Sequence, residues 1–87
     1  MSVTVELTYD MAKALGVPRF EVDDAATVRD VVRAAEARFA STGASFERLT
    51  RVSAIAVNGV LSGYRKGMRT RLSDGDRVAF VKAAAGG

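Results

Sequence analysis

Two segments near the start of the chain alternate apolar and polar residues with a period of two. In residues 3–9 the apolar positions are Val3, Val5, Leu7 and Tyr9. The second segment places Phe20 and Val22 between charged residues. Successive side chains of a strand point to opposite faces, so this pattern predicts two half-buried strands. Residues 11–18 contain a glycine and a proline and are predicted to form a loop, which makes the two strands a hairpin with a long connection.

Helical spacing follows in residues 27–41. Thr27 is a suitable N-cap, and Asp30 stands three residues later, as in a capping box. A single apolar stripe is formed by Val28, Val31, Val32, Ala35 and Phe39. We expect the helix to end near Ser41, with Gly43 in its C-terminal capping region.

The second half of the chain contains three further predicted strands, at residues 52–57, 60–61 and 77–82. Asn58-Gly59 is a strong signal for a tight turn between the first two of them. The sequence Asp74-Gly75-Asp76 predicts a turn before the last strand. A single helical turn is expected at residues 46–49, and a polar, basic loop at residues 62–71.

The order strand, strand, helix, strand, strand, strand predicts an α+β fold. Its mixed sheet has about five strands, with one main helix on one face. This is the β-grasp, or ubiquitin-like, arrangement. We expect one domain over residues 1–82, followed by a flexible C-terminal tail, residues 83–87, that ends in Gly-Gly.

Composition excludes several kinds of chemistry. The 87 residues include no cysteine and no histidine, so disulfides, thiolate metal sites, a cysteine nucleophile and a histidine base are absent. We expect no metal site. No apolar run approaches the length of a membrane span and no export leader is visible, so we expect a cytoplasmic protein without membrane contact. The net charge of +3 suits an acidic partner but is too small to indicate nucleic acid.

Three short segments resemble the MoaD/ThiS family of ubiquitin-like sulfur carriers, which includes the small subunit of molybdopterin synthase. They are residues 56–59 (Ala-Val-Asn-Gly), residues 72–80 (Leu-Ser-Asp-Gly-Asp-Arg-Val-Ala-Phe) and the terminal Gly86-Gly87. The resemblance in strand order covers essentially the whole chain. The combination of the Asp-Gly-Asp turn, the following strand and the terminal glycines is its specific part.

The resemblance implies that the chain is a cosubstrate and not an enzyme. An E1-like enzyme would use ATP to adenylate the carboxylate of Gly87, and a persulfide protein or sulfide would convert it to a thiocarboxylate. The thiocarboxylate would then donate sulfur to an acceptor synthase or sulfurtransferase. No permanently bound cofactor is implied, since ATP belongs to the partner reaction.

A reactive terminus must be thin to enter another protein's active site, and glycine allows close backbone approach. The adenylation and thiocarboxylate site that the resemblance implies, Gly86 and Gly87, meets this requirement. Strand alternation turns Val78 and Phe80 inward, which leaves small residues on the outer sheet face. The predicted partner-docking residues are Ala54, Ala56, Ala79 and Val81, together with Ala83, Ala84 and Ala85 of the tail.

Several alternatives remain open at this point. Residues 81–85 lack the prolines usual in molybdopterin-type carriers, so the pathway served is open among molybdopterin, cysteine, thiamine and specialised-metabolite biosynthesis. The chain could instead be a ubiquitin-like modifier joined through Gly87 to target lysines, or an interaction module with an idle tail. Asp74 and Asp76 are interpreted as turn residues. A basic cluster is interpreted as solvated surface: Arg65, Lys66, Arg69 and Arg71, with Arg48 and Arg51 possible neighbours.

Overall fold

The computed structural model describes residues 1–82, which form a five-stranded mixed sheet with four short α-helices. The strands are β1 (Ser2–Glu6), β2 (Arg19–Asp23), β3 (Ser53–Val57), β4 (Val60–Ser62) and β5 (Arg77–Lys82). The helices are α1 (Tyr9–Leu15), α2 (Val28–Arg38), α3 (Phe46–Arg51) and α4 (Tyr64–Met68).

The last strand lies in the middle of the sheet. The strand order is β2-β1-β5-β3-β4, in which β1 and β5 are parallel and the other neighbours are antiparallel. This topology confirms the β-grasp fold expected from the order of elements. It also places the strand that leads to the C-terminal tail between the two halves of the sheet.

The main helix, α2, begins with the predicted capping box. The hydroxyl of Thr27 accepts from the backbone N–H of Asp30 at 3.3 Å, and the Asp30 carboxylate accepts from the Thr27 N–H at 3.1 Å. The helix ends at Arg38, so the predicted end near Ser41 was too late. A 3-10 turn, Ala40–Thr42, follows. Gly43 ends that turn at φ +81°, in the left-handed region that favours glycine.

Residues 9–15 correct two predictions from the sequence. The first strand stops at Glu6, so the predicted extension to Tyr9 was wrong, and much of the predicted loop over residues 11–18 is helix α1. The Thr8 hydroxyl accepts from the Met11 N–H at 3.1 Å and starts this helix. Met11 is buried in the core, which explains why the segment folds back on the sheet.

The second half of the chain is more helical than its sequence pattern indicates. Helix α3 is longer than the single turn expected at residues 46–49. The predicted loop over residues 62–71 was wrong, because it contains α4. Gly67 lets α4 approach β3 closely: a Cβ atom there would lie 2.9 Å from side-chain atoms of Ile55.

All four helices contribute to one core on the inner face of the sheet. Four phenylalanines, from β2, β5, α3 and the residue after α2, form its aromatic centre. The ring of Phe46 lies with its centroid 6.1 Å from Phe20, 6.3 Å from Phe39 and 5.5 Å from Phe80. Every residue of the predicted α2 stripe is buried. No helix within residues 1–82 covers the opposite face of the sheet, where the strand residues are half-buried or exposed.

We predict that Gly67→Ala destabilises the protein, although alanine is ordinarily the better helix former. The added methyl group overlaps Ile55, and overpacking of this kind costs about 1–3 kcal/mol. Urea unfolding of the two single variants and of the double variant with Ile55→Val measures the coupling. Because Ile55→Val removes one of the two crowded Ile55 atoms, Gly67→Ala should cost less in that background. Equal costs in both backgrounds would contradict the close contact.

Candidate functional site

Strand β5 separates the core from the outer face of the sheet by strict alternation. Val78 and Phe80 are buried in the core, while Ala79 and Val81 are half-buried on the outer face. The predicted reactive glycines and the three tail alanines, residues 83–87, lie outside the described residues. Their roles stay predictions, and the described part of the site ends at Lys82.

The structure brings together the four docking residues predicted within the domain. In the β3–β5 register Ala54 stands opposite Val81, and Ala56 stands opposite Ala79. Directly opposite residues of an antiparallel pair share a face, so these four side chains form a contiguous apolar surface. All four are half-buried. Docking of a partner by these four residues stays a prediction, and their contiguity is compatible with it.

Leu61 is an additional member of this surface that was not predicted. It stands opposite Ala56 in the β3–β4 register and is 63% exposed, so it projects from the same face. The signal was present in the sequence, because a two-residue Asn-Gly turn fixes which residues of its flanking strands face each other. We call the set Ala54, Ala56, Leu61, Ala79 and Val81 the sheet patch.

Charged residues border the sheet patch on the side of β1. Glu6 stands beside Ala79, and its carboxylate lies 3.0 Å from the guanidinium of Arg77. Both side chains are largely exposed, so the ion pair contributes little to stability. An apolar centre with a polar rim is typical of protein–protein interfaces.

Asp76 anchors the start of β5. Its carboxylate accepts from the side-chain amide of Asn58 at 3.0 Å and from the Ser73 N–H at 2.8 Å. Asn58 also accepts from the backbone N–H of Arg77 at 3.0 Å. The Asn58 amide, and secondly the Ser73 N–H, lower the pKa of Asp76 below its ordinary value. These bonds tie the β3–β4 turn to the turn before β5 and so hold the sheet patch in register.

Asp74 performs a related role at the other neighbour of β5. Its carboxylate accepts from the backbone N–H of Ser2 at 2.8 Å, at the beginning of β1. The structure therefore confirms Asp74 and Asp76 as turn residues. Among residues 1–82 no three acidic side chains are grouped to hold a metal ion.

A groove lies where β5 ends and the tail begins. It is about 620 Å³ and is lined by the end of β5, the start of α1 and the α3–β3 connection. Two strongly exposed apolar side chains stand on it, Tyr9 at 78% and Val52 at 72% exposure. Sequence analysis missed this surface because it assigned both residues to strands.

Comparison with protein families now adds to this geometry. A protein-family model described as the ThiS family matches residues 12–87, a range that includes β5 and the terminal glycines. The chain belongs to the ThiS family. The resemblance inferred from the sequence is thereby confirmed. Such family members are carriers or small subunits rather than catalysts.

Solved structures support the family's fold. The solution structure of the HVO 2177 protein of Haloferax volcanii is 29% identical, with TM-score 0.71, and the match covers 100% of this chain and 87% of that one. SAMP1 from Haloferax volcanii is 22% identical, with TM-score 0.73 and complete coverage of both chains. Complete coverage is also found at 23% identity and TM-score 0.65 in a complex of subunits 1 and 2 of molybdopterin-converting factor from Helicobacter pylori. No curated protein matches the chain.

No helix within residues 1–82 of this ThiS-family chain is long and apolar enough to cross a membrane.

We predict that the stability of the protein depends on pH through Asp76, in the turn before β5. Its folded-state pKa is depressed, so its contribution to stability is present at neutral pH and is lost as the pH falls below the ordinary range of an Asp carboxyl and through the lower folded-state value. Asp76→Asn should therefore lower the urea midpoint at neutral pH, and the difference from the parent protein should shrink at acidic pH. Asp23→Asn, at an exposed position on β2, is the control and should change neither midpoint. A pH-independent loss in Asp76→Asn would contradict the assignment.

Proposed function

We propose that this chain is a sulfur carrier whose Gly87 carboxylate is adenylated by an E1-like enzyme and then converted to a thiocarboxylate. The observation that carries the proposal is the continuity of β5. This strand contributes Ala79 and Val81 to the sheet patch. After Lys82 the sequence continues with the five residues that end in Gly-Gly. The family match extends over the same segment.

The tail limits the geometry of any activating partner. Five residues span at most about 18 Å when fully extended. An enzyme that holds the sheet patch must therefore have its nucleotide site within that distance of the end of β5. The small side chains of residues 83–87 suit entry into a narrow channel.

The proposed chemistry begins with the carboxylate of Gly87, which is anionic and has no leaving group. Its oxygen attacks the α-phosphorus of ATP, pyrophosphate leaves, and an acyl-adenylate forms. Sulfide attacks this carbonyl and displaces AMP, which yields the thiocarboxylate directly. A persulfide donor gives an acyl disulfide instead, and a thiol must then reduce it to release the thiocarboxylate. ATP is consumed in the partner's active site, and no cofactor is bound permanently by the carrier.

The sheet patch is the proposed contact for the activating enzyme and for the later acceptor. It is apolar, it consists of four half-buried residues and the exposed Leu61, and its side chains lie outside the core. Its strand β5 precedes the tail directly in the sequence. The acceptor would be a synthase or sulfurtransferase. The fold shared with subunit 1 of molybdopterin-converting factor, seen in complex with subunit 2, supports a synthase partner.

Conjugation to proteins is the second candidate function. It is favoured by the fold shared with SAMP1, a small archaeal modifier protein, over the whole chain. Adenylation of Gly87 is common to both routes. The two routes differ in the group that finally accepts the activated carboxyl. In a carrier the nucleophile is sulfur. In a modifier it is a lysine amine, which reacts directly or through the activating enzyme.

We predict that incubation with ATP, the cognate E1-like enzyme and sulfide replaces one oxygen of the terminal carboxylate by sulfur. Mass spectrometry of the intact protein and of its C-terminal peptide measures the change. Deletion of Gly87 should abolish it while leaving the folded domain intact. Adenylation without sulfur transfer, together with lysine conjugates in cell extract, would favour the modifier. Normal cellular function of the deletion variant would favour an idle tail.

We predict that Leu61→Asp weakens docking of the activating enzyme by about tenfold or more. Burying a leucine is worth about 1.5–3 kcal/mol, and 1.4 kcal/mol corresponds to a factor of ten in affinity. The measurement is the KM for the carrier in ATP–pyrophosphate exchange.

Val60→Asp is the matched control, because Val60 is the adjacent residue on β4 and is 73% exposed. Val60 stands opposite Val57 in the β3–β4 register, and Leu61 stands opposite Ala56. Because side chains alternate along a strand, Val60 faces away from the side on which Leu61 lies and is outside the sheet patch. The control should leave the KM near the parent value. Equal effects of the two substitutions would contradict a role for the sheet patch.

A further inference from the structure

A second concave surface lies on the helical side of the molecule, opposite the sheet patch. It is a groove of about 480 Å³ between α2, α3 and α4. Four arginines line it, and we call the set Arg29, Arg51, Arg65 and Arg69 the arginine groove. Their positions are far apart in sequence, and only the packing of the three helices brings them together.

The packing of α4 fixes the geometry of this groove. Met68 is buried in the core, and Gly67 lies against Ile55 of β3. Arg65 and Arg69 stand on either side of this anchored segment and are exposed. Two arginines of the predicted basic cluster are therefore held by a short helix rather than by a loop: Arg65 lies within α4, and Arg69 is its C-cap residue. Lys66, Arg71 and Arg48 of that cluster are not among the residues that line the groove.

Little of the positive charge in the groove is neutralised internally. Arg51 lies 2.8 Å from the carboxylate of Glu47, and this bond, followed by the influence of the nearby Tyr64 side chain, raises the pKa of Arg51. The described residues 1–82 contain one other ion pair, between Glu6 and Arg77. Neither pair involves Arg29, Arg65 or Arg69, so three of the four guanidinium groups face solvent without a carboxylate partner in this part of the chain.

The charge of the whole chain is distributed in the same sense. Residues 28–71, which contain α2, α3 and α4, carry nine Lys and Arg against three Asp and Glu. The remainder of the chain carries four Lys and Arg against seven Asp and Glu. The modest net charge of +3 therefore combines a basic central segment of the chain with acidic flanking segments. A field with this polarity orients an approaching acidic protein and raises its association rate.

We propose that the arginine groove binds an acidic segment of a partner protein, at a site separate from the sheet patch. Arginine matches the planar geometry of carboxylates through paired hydrogen bonds. Only one aromatic residue, Tyr64, lines the groove, so the stacking surfaces of single-strand nucleic-acid binders are missing there. These features favour a protein segment over RNA.

The position of the groove has a consequence for assembly. The helices cover the inner face of the sheet, whereas the sheet patch lies on the outer face and β5 ends at Lys82. A protein bound at the arginine groove does not compete for those surfaces. The carrier can therefore be held by one partner while its C-terminus is processed by another, and this binding does not depend on the chemistry at Gly87.

The test measures fluorescence anisotropy of a labelled oligo-glutamate peptide at low and at physiological salt. The parent protein should bind at low salt and lose affinity as salt rises. Arg65→Glu with Arg69→Glu should weaken binding by about tenfold, since each reversal replaces an attraction by a repulsion. Lys13→Glu with Arg19→Glu makes the same change in net charge on exposed residues outside the groove, and it should retain most of the affinity.

Three results would overturn the proposal: no peptide binding by the parent protein, equal losses in the two charge-reversed variants, or tighter binding of a single-stranded RNA of matched charge. Circular dichroism verifies that each variant is folded. The double variant Arg65→Gln with Arg69→Gln removes the two charges without reversing them. It should show a loss of affinity between those of the parent protein and the charge-reversed variant. Adenylation of Gly87, measured in parallel, should be unchanged in these variants, so failure of the groove and failure of the carrier function remain distinguishable.

Discussion

The pairing of β5 between β1 and β3 is the constraint on which the functional surfaces depend. A register shift of one residue would turn the outer side chains of β5 into the core and expose Phe80. Hydrogen bonds from Asn58 to Asp76 and from Ser2 to Asp74 hold the turn before β5 to both neighbouring strands. The register that fills the core is thus the same register that assembles the sheet patch.

The two faces of the domain are chemically different because they answer different requirements. The outer sheet face near β5 is made of small apolar side chains, which allow a partner to approach the backbone closely and follow the strand toward the tail. The helical face carries the arginines, whose long side chains remain in solvent while the helices bury their apolar sides. A small protein can in this way offer separate contacts to separate partners.

Local patterns in the sequence predicted most of the fold, and the two missed helices show why the rest needed the structure. The alternation of Leu7 and Tyr9 continues the pattern of β1. The Thr8 hydroxyl nevertheless caps a helix that begins at Tyr9. Residues 62–71 are polar, basic and contain two glycines, which is typical of a loop. There α4 forms because Gly67 and Met68 pack against β3 and the core, and a tertiary contact of this kind leaves no periodic signal.

The candidate surfaces divide along the same line. Alternation on β3 and β5 is a local property, so Ala54, Ala56, Ala79 and Val81 could be placed on one face from the sequence, and the Asn-Gly turn contained enough information to add Leu61. The arginine groove joins residues from position 29 to position 69 through helices that were only partly predicted. Its geometry depends on the contact between Gly67 and Ile55, so a substitution in the interior of the domain can alter binding on its basic surface. Stability and partner recognition are therefore coupled through α4, whereas the sheet patch depends only on strand register.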